Sequence, residues 1–214
     1  MHLKRLNIGK SWPIPRKGTK YLAVSSHNKK SSIPLMVVMR DILKVVRTKK
    51  ELKYALNEKQ IKINEKNIKD TNYPISFFDV ISIKNKNYRS SLSENGKIIF
   101  EEISDNESVR KIIKIIGKKV LKDKIIQFNL SDGRNFISKE KAKINDSVLF
   151  NFNKGIEKII KMEKDSRGFV IKGKHAGISG KIGEIIERGG KKLVVIESNN
   201  KKINVWIKNV ITIE

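Results

Sequence analysis

The spacing of apolar and polar positions changes several times along the chain, and each change marks a different kind of element. Between Leu35 and Val46 the residues Leu35, Met39, Ile42 and Val46 recur at helical spacing, which predicts a helix with one buried stripe. Ser31 or Ser32 would cap it, with Pro34 in the first turn, where a missing N–H costs nothing. Arg40, Lys44 and Arg47 would then line the opposite face as a basic ridge. Thr48-Lys49-Lys50-Glu51 has the capping-box form and predicts a second, short helix. Its apolar residues Leu52, Ala55 and Leu56 share one side, leaving Lys49, Lys50 and Lys53 beside the ridge.

From Gln60 the period drops to two. Ile61 and Ile63 flank Lys62, and Asp79-Val80-Ile81-Ser82-Ile83 reads as a second strand. Residues 84–165 predict an all-β region: the runs Ile112–Ile116, Ile125–Leu130 and Val148–Phe152 are separated by turn signals at Asn95-Gly96, Asp132-Gly133 and Asn153-Lys154-Gly155. A small barrel or sandwich fits that spacing. Residues 166–214 hold seven of the 13 glycines, among apolar positions such as Val170, Ile171, Ile178 and Ile182, which predicts short, strongly bent strands. Gly189-Gly190-Lys191-Lys192 lacks the remaining residues of a phosphate-binding loop and reads as a hairpin turn. By contrast, residues 1–32 carry Trp12, Pro13, Pro15, Gly18 and paired serines, a composition for irregular backbone around one aromatic anchor. Trp12 would either pack on a neighbouring domain or stack on a base. These shifts divide the chain into 1–32, 33–84, 85–165 and 166–214.

Charge narrows the function. With 47 Lys and Arg against 22 Asp and Glu, the net charge is +25. Lys outnumbers Arg 38 to 9, which an A/T-biased genome explains, but such a bias does not explain base over acid. Residues 1–32 contain eight basic residues (Lys4, Arg5, Lys10, Arg16, Lys17, Lys20, Lys29 and Lys30) and no acidic one. The rest of the chain is also basic: residues 33–90 carry +7 (13 basic, 6 acidic), 91–165 carry +4 (16 and 12) and 166–214 carry +6 (10 and 4). Such a chain gains most from a polyanion whose condensed counterions it releases, so nucleic acid is the expected partner. A membrane fits less well, because runs such as Leu35–Met39 are far shorter than a spanning helix and Met1–Lys10 lacks the apolar core of a signal peptide. The absence of Cys fits a reducing, cytosolic compartment, in which the sequons at Asn106 and Asn129 are coincidental.

Catalytic patterns are missing. His2, His27 and His175 stand singly and no Cys completes a zinc site. Adjacent acids such as Glu101-Glu102 point to opposite faces of a strand. No enzyme activity, cofactor, metal or small-molecule substrate is expected.

Three patterns in one order carry a family resemblance. The helix pair, the hairpin Gln60-Ile61-Lys62-Ile63-Asn64, and Tyr73-Pro74 with Asp79–Ile83 resemble the αL-type RNA-binding module named after bacterial ribosomal protein S4. Ile171-Lys172-Gly173-Lys174-His175-Ala176-Gly177-Ile178-Ser179-Gly180-Lys181-Ile182 resembles the KOW motif. Together with His2-Leu3-Lys4-Arg5-Leu6, Lys10-Ser11-Trp12-Pro13-Ile14-Pro15-Arg16-Lys17-Gly18-Thr19-Lys20 and Ile33-Pro34-Leu35, the whole chain resembles the S4e family of archaeal and eukaryotic small-subunit ribosomal proteins. The resemblance implies an α+β, multi-module fold: a basic arm, the αL-type module of two helices plus a small sheet, a central β barrel-like domain and a C-terminal SH3-like KOW barrel. It implies a cytoplasmic structural protein that binds rRNA, touches neighbouring small-subunit proteins and forms no obligate homo-oligomer. Carried over by position, Lys4, Arg5, Arg16 and Lys17, then Arg40 and Lys44, then Lys172, Lys174 and His175 would face RNA. The charge pattern itself adds Lys10, Lys20, Lys29, Lys30, Arg47, Lys49, Lys50, Lys53 and Lys181.

Some expectations stay open at this level. A dissociable assembly or transcription factor would use the same KOW barrel and arm, whereas an RNA-modifying enzyme would need a catalytic domain for which no length remains. The KOW glycines would let backbone approach either backbone or RNA phosphate. Lys59 and Glu65 stand where relatives commonly have Gly, so a left-handed backbone there would cost about 1 kcal/mol each. The arm is expected to order on RNA, and its removal to leave 33–214 folded.

Overall fold

Five consecutive residues, Leu35–Met39, are buried on every side, and the first of two compact units folds around them. The computed structural model describes residues 2–29, 31–121, 125–138, 140–198 and 201–213. It is mostly β, with few helices and several sheets. The two units are Met1–Leu92 with Lys97–Val109, and Ser93–Gly96 with Arg110–Glu214.

In the first unit, β1 (Leu3–Lys4) pairs with β2 (Tyr21–Leu22) across a loop that begins with the 3-10 turn Arg5–Asn7. β3 (Ile33–Pro34) leads into α1 (Leu35–Val37), which continues as a π-helical turn over Val38–Ile42. The helix therefore does not begin at a serine cap. Pro34 is itself the N-cap, extended at φ −69° and ψ 140°, because Ile33 and Pro34 pair with β6 (Pro74–Ile75). Carbonyls of the facing segment satisfy the first helical amides: Leu35 N–H donates to Tyr73 (2.8 Å) and Met36 N–H to Thr71 (3.0 Å). The Ser32 hydroxyl bonds instead to the Asn28 carbonyl at 2.7 Å. The helix is also shorter than the apolar stripe implied. Leu43 is its C-cap and Lys44 turns left-handed at φ 55°, so Val46 reaches the core from beyond the helix.

The second helix forms as its capping box predicts. In α2 (Lys49–Asn57) the Thr48 hydroxyl accepts from the Glu51 amide at 3.2 Å, and Leu52 and Leu56 are buried. Glu51 reaches one residue further back than expected, accepting from the Arg47 amide at 2.8 Å. A five-stranded sheet follows, built from β4 (Ile61–Ile63), β5 (Lys66–Asn67), β7 (Val80–Ile83), β8 (Lys86–Leu92) and β9 (Ile98–Ile103) in the order β5-β4-β7-β8-β9. The turns that lack glycine still adopt left-handed backbone: Lys59 has φ 56° and Glu65 φ 62°. A short α3 (Asp105–Ser108) closes the unit.

The second unit holds two five-stranded antiparallel sheets. The first comprises β10 (Arg110–Val120), β11 (Ile126–Leu130), β12 (Asn135–Ser138), β13 (Ser147–Asn151) and β14 (Gly155–Ile160), ordered β12-β11-β10-β13-β14. β10 pairs with β13 over Arg110–Lys114 and with β11 from Ile115 on, and a bulge between Ile115 and Gly117 marks the change. The second comprises β15 (Arg167–Val170), β16 (Ser179–Arg188), β17 (Lys191–Ser198), β18 (Lys201–Trp206) and β19 (Val210–Ile213), ordered β18-β17-β16-β15-β19. Gly189 and Gly190, at φ 57° and 70°, make the two-residue β16–β17 hairpin turn, where positive φ at both positions matches the strand twist.

Candidate nucleic-acid interface

The arm is folded onto its own unit. Trp12 packs against the first core cluster with Ala23, Leu22 and Ser25 are buried, and the Ile98 amide donates to the Ser11 carbonyl at 2.8 Å. Arg5 fastens the intervening loop: its guanidinium donates to the carbonyls of Thr19 and Pro15, both at 2.8 Å, and to the Thr19 hydroxyl at 2.9 Å. Gly18 leaves room for that guanidinium, since a Cβ there would press within 3.0 Å of it. Around this knot Lys4, Lys10, Arg16, Lys17, Lys20 and Lys29 are exposed; Lys30 lies outside the described residues. Lys20 sits 5.5 Å from the Tyr21 ring centroid, against which the His2 ring also packs.

The basic ridge expected on the first helix is not a helical face. Arg40 lies in the π turn, half-buried, with Nε and one terminal nitrogen each 2.9 Å from an Asp41 oxygen. Lys44 is past the helix end, where a cation suits the C-terminal dipole, and Arg47 is exposed before the next cap. All-round burial of Leu35–Met39 leaves this helix no solvent face over its first turn. The exposed helical face belongs to α2: Lys50, Lys53, Tyr54 and Asn57 at i, i+3, i+4 and i+7 lie opposite Leu52 and Leu56, with Lys49 at the edge. Tyr54 is 65% exposed between cations. Sequence reasoning passed over it, although the same spacing that grouped the lysines would have included it.

In the C-terminal sheet, Lys172 and Lys174 are exposed on the loop joining β15 to β16, and His175 is half-buried there. The loop is pinned at both ends, by Ile171 N–H to Asn209 O (2.7 Å) and Gly177 N–H to Val170 O (2.8 Å). Its glycines serve backbone packing: a Cβ on Gly177 would overlap the Ser93 carbonyl and one on Gly180 the Glu197 carbonyl. Lys181 is separate from the loop. It lies in β16 opposite Glu197, which pairs with Lys202 at 3.1 Å. Of the candidate cations, only Arg40 has an acidic side chain within ion-pair distance among the described residues. No group of three metal-ligating side chains and no helix able to cross a membrane occurs among the described residues.

Comparison with known proteins gives this basic, mostly β chain its class. The model of ribosomal family S4e matches residues 84–156. Small ribosomal subunit protein eS4 of Nanoarchaeum equitans is 33% identical over 221 residues, covering 99% of this chain and 94% of that protein. The protein of the same name from Methanosphaera stadtmanae is 36% identical over 190 residues, covering 86% and 79%. The crystal structure of 30S ribosomal protein S4e from Thermoplasma acidophilum superposes with a TM-score of 0.76 at 25% identity, over 86% of this chain and 96% of that one. The class is therefore that of structural ribosomal proteins, not enzymes. Within it, the chain belongs to the S4e family.

Proposed function

We propose that the chain is a resident protein of the small ribosomal subunit that binds rRNA and supports subunit assembly and translation in cytoplasmic ribosomes. The observation that carries this is a set of solvent-facing cations on three separate elements: Arg16 and Lys17 on the arm, Lys50 and Lys53 on α2, Lys172 and Lys174 on the β15–β16 loop. In a member of the S4e family, the polyanion that suits them is rRNA. The segments read as an arm (1–32), an αL-type module (33–84), a central β domain (85–165) and a KOW barrel (166–214). Recognition rests on phosphate neutralisation and shape more than on base reading. Each element binds weakly, and docking of one raises the effective concentration of the next. Neighbouring subunit proteins complete the environment. A dissociable factor would carry the same cations, but relatives matching nearly the whole chain are named as subunit proteins, which favours residence.

Binding of the intact chain to purified small-subunit rRNA across a salt series tests the reading. Lys50→Glu with Lys53→Glu removes two cations from the α2 stripe. The slope of log K against log salt is expected to fall by about 1.5, at roughly 0.7–0.9 per phosphate contact. A slope equal to that of the unaltered chain would remove α2 from the interface.

A further inference from the structure

The outer face of the C-terminal sheet carries an aromatic side chain that core packing does not require. Across β16, β17 and β18 the register sets Ile186 beside Leu193 and Leu193 beside Trp206, so the three lie side by side on one face. The opposite face of the same strands is the core, with Val194 and Ile196 buried. Trp206 is 50% exposed and Ile186 41%. Cations bracket this strip. Arg188 pairs across the hairpin with Lys191, whose ammonium lies 4.6 Å from the Trp206 ring centroid. At the other end Lys181 and Lys202 flank Glu197, and a second acid, Glu187, lies opposite Lys192.

The backbone that carries the ring is held on both sides. Val205 before it is buried, and Ile207 after it packs against the third core cluster. The buried ammonium of Lys114 donates to the carbonyls of Ile207 and Val210, each at 2.5 Å, fixing the turn that follows the ring. A half-exposed tryptophan on a fixed backbone, with cations at both ends of its strip, meets the requirements of base stacking combined with phosphate neutralisation. An apolar protein surface would cover the strip but strand Arg188, Lys191 and Lys181. A nucleotide supplies a π-face and negative charge together.

We infer that Trp206, with Ile186, Leu193, Arg188 and Lys191, forms a stacking site for an unpaired nucleobase of RNA. This rests on the rRNA-binding reading and extends it to a surface outside the cations named there. The test uses the full chain with Trp12→Phe, which leaves Trp206 as the only tryptophan. On titration with small-subunit rRNA its emission should fall by about half or more, as expected for a stacked indole. Trp206→Leu should raise Kd about ten-fold, near the lower end for one lost stack, and Trp206→Phe by much less. If rRNA binds but the emission does not change and Trp206→Leu binds as tightly as the parent, the stacking site is wrong while rRNA binding stands. If the unaltered chain does not bind rRNA, both readings fail. Emission that responds to the other small-subunit proteins and not to rRNA would assign the strip to a protein partner and overturn the inference.

Discussion

Lys114 departs furthest from the ordinary behaviour of its residue type. It interrupts the apolar run Ile112-Ile113-Lys114-Ile115-Ile116, is 3% exposed, and spends its ammonium on two carbonyls of the C-terminal turn. Burial lowers its pKa to about 8, and the carbonyls, which favour the charged form, oppose that shift. Below pH 8 both folded and unfolded chains carry the proton and the fold bears the desolvation cost. Between about 8 and 10.5 the unfolded chain keeps the proton while the folded one releases it, so stability rises with pH, by roughly 3 kcal/mol at most. Urea unfolding at the two ends of that window should show the rise in the parent and its loss in Lys114→Met; equal pH dependence in both would contradict the assignment. The glycines offer a second test at this scale. Gly180→Ala drives a Cβ into the Glu197 carbonyl and should lower the melting temperature sharply, whereas Gly190→Ala meets open space and pays only positive-φ strain of about 1 kcal/mol. Similar melting temperatures for the two variants would refute the close-approach account.

The start of α2, set by local chemistry, was legible in the sequence, as were the alternating strands β4, β7, β10, β11 and β13; the start of α1, set by tertiary pairing, was not. Thr48 and Glu51 lie within one turn of each other, so the α2 start could be read directly. Thr48→Ala should cost about 1 kcal/mol in denaturant unfolding, and no loss would mean the cap is idle. The Glu51 carboxyl is held below the usual range, first by the Arg47 amide and then by the Thr48 hydroxyl. Its capping contribution is thus present above the ordinary Glu pKa and fades as pH falls through the lowered value. The start of α1 was misread because its partners are distant: Pro34 is drawn into pairing with Pro74, forty residues on, and Tyr73 and Thr71 supply the acceptors that a serine cap never had to provide. The ridge failed for a related reason. Leu35-Met36-Val37-Val38-Met39 is apolar all round, a sign of a fully buried helix that the stripe alone concealed. Hairpin turns at Asn95-Gly96, Asp132-Gly133 and Gly189-Gly190 were readable because the positive φ at Gly96, Gly133, Gly189 and Gly190 is a conformation glycine adopts freely.

At the scale of the molecule, composition pointed to a polyanion but misjudged the arm. A segment with eight cations and no acids was expected to order on RNA, yet Trp12 packs partly buried against the first core cluster, Leu22 and Ser25 are buried and Arg5 ties the loop together. Packing was one of the two readings of Trp12; the burial of Leu22 and Ser25 and the ties made by Arg5 were not legible. Removing residues 1–32 should therefore lower the thermal stability of the first unit, and a truncated chain melting like the parent would restore the expected arm. Exposed cations spread over three elements also mean that no single lysine decides association, since linked weak sites bind as a set. Residence in the small subunit is tested most directly by sedimenting ribosomes that carry the tagged chain through a high-salt gradient. The account predicts that the chain stays with the small subunit at one copy each after the wash. Recovery of the chain at the top of the gradient, with intact small subunits below it, would contradict the account and leave a dissociable factor in its place.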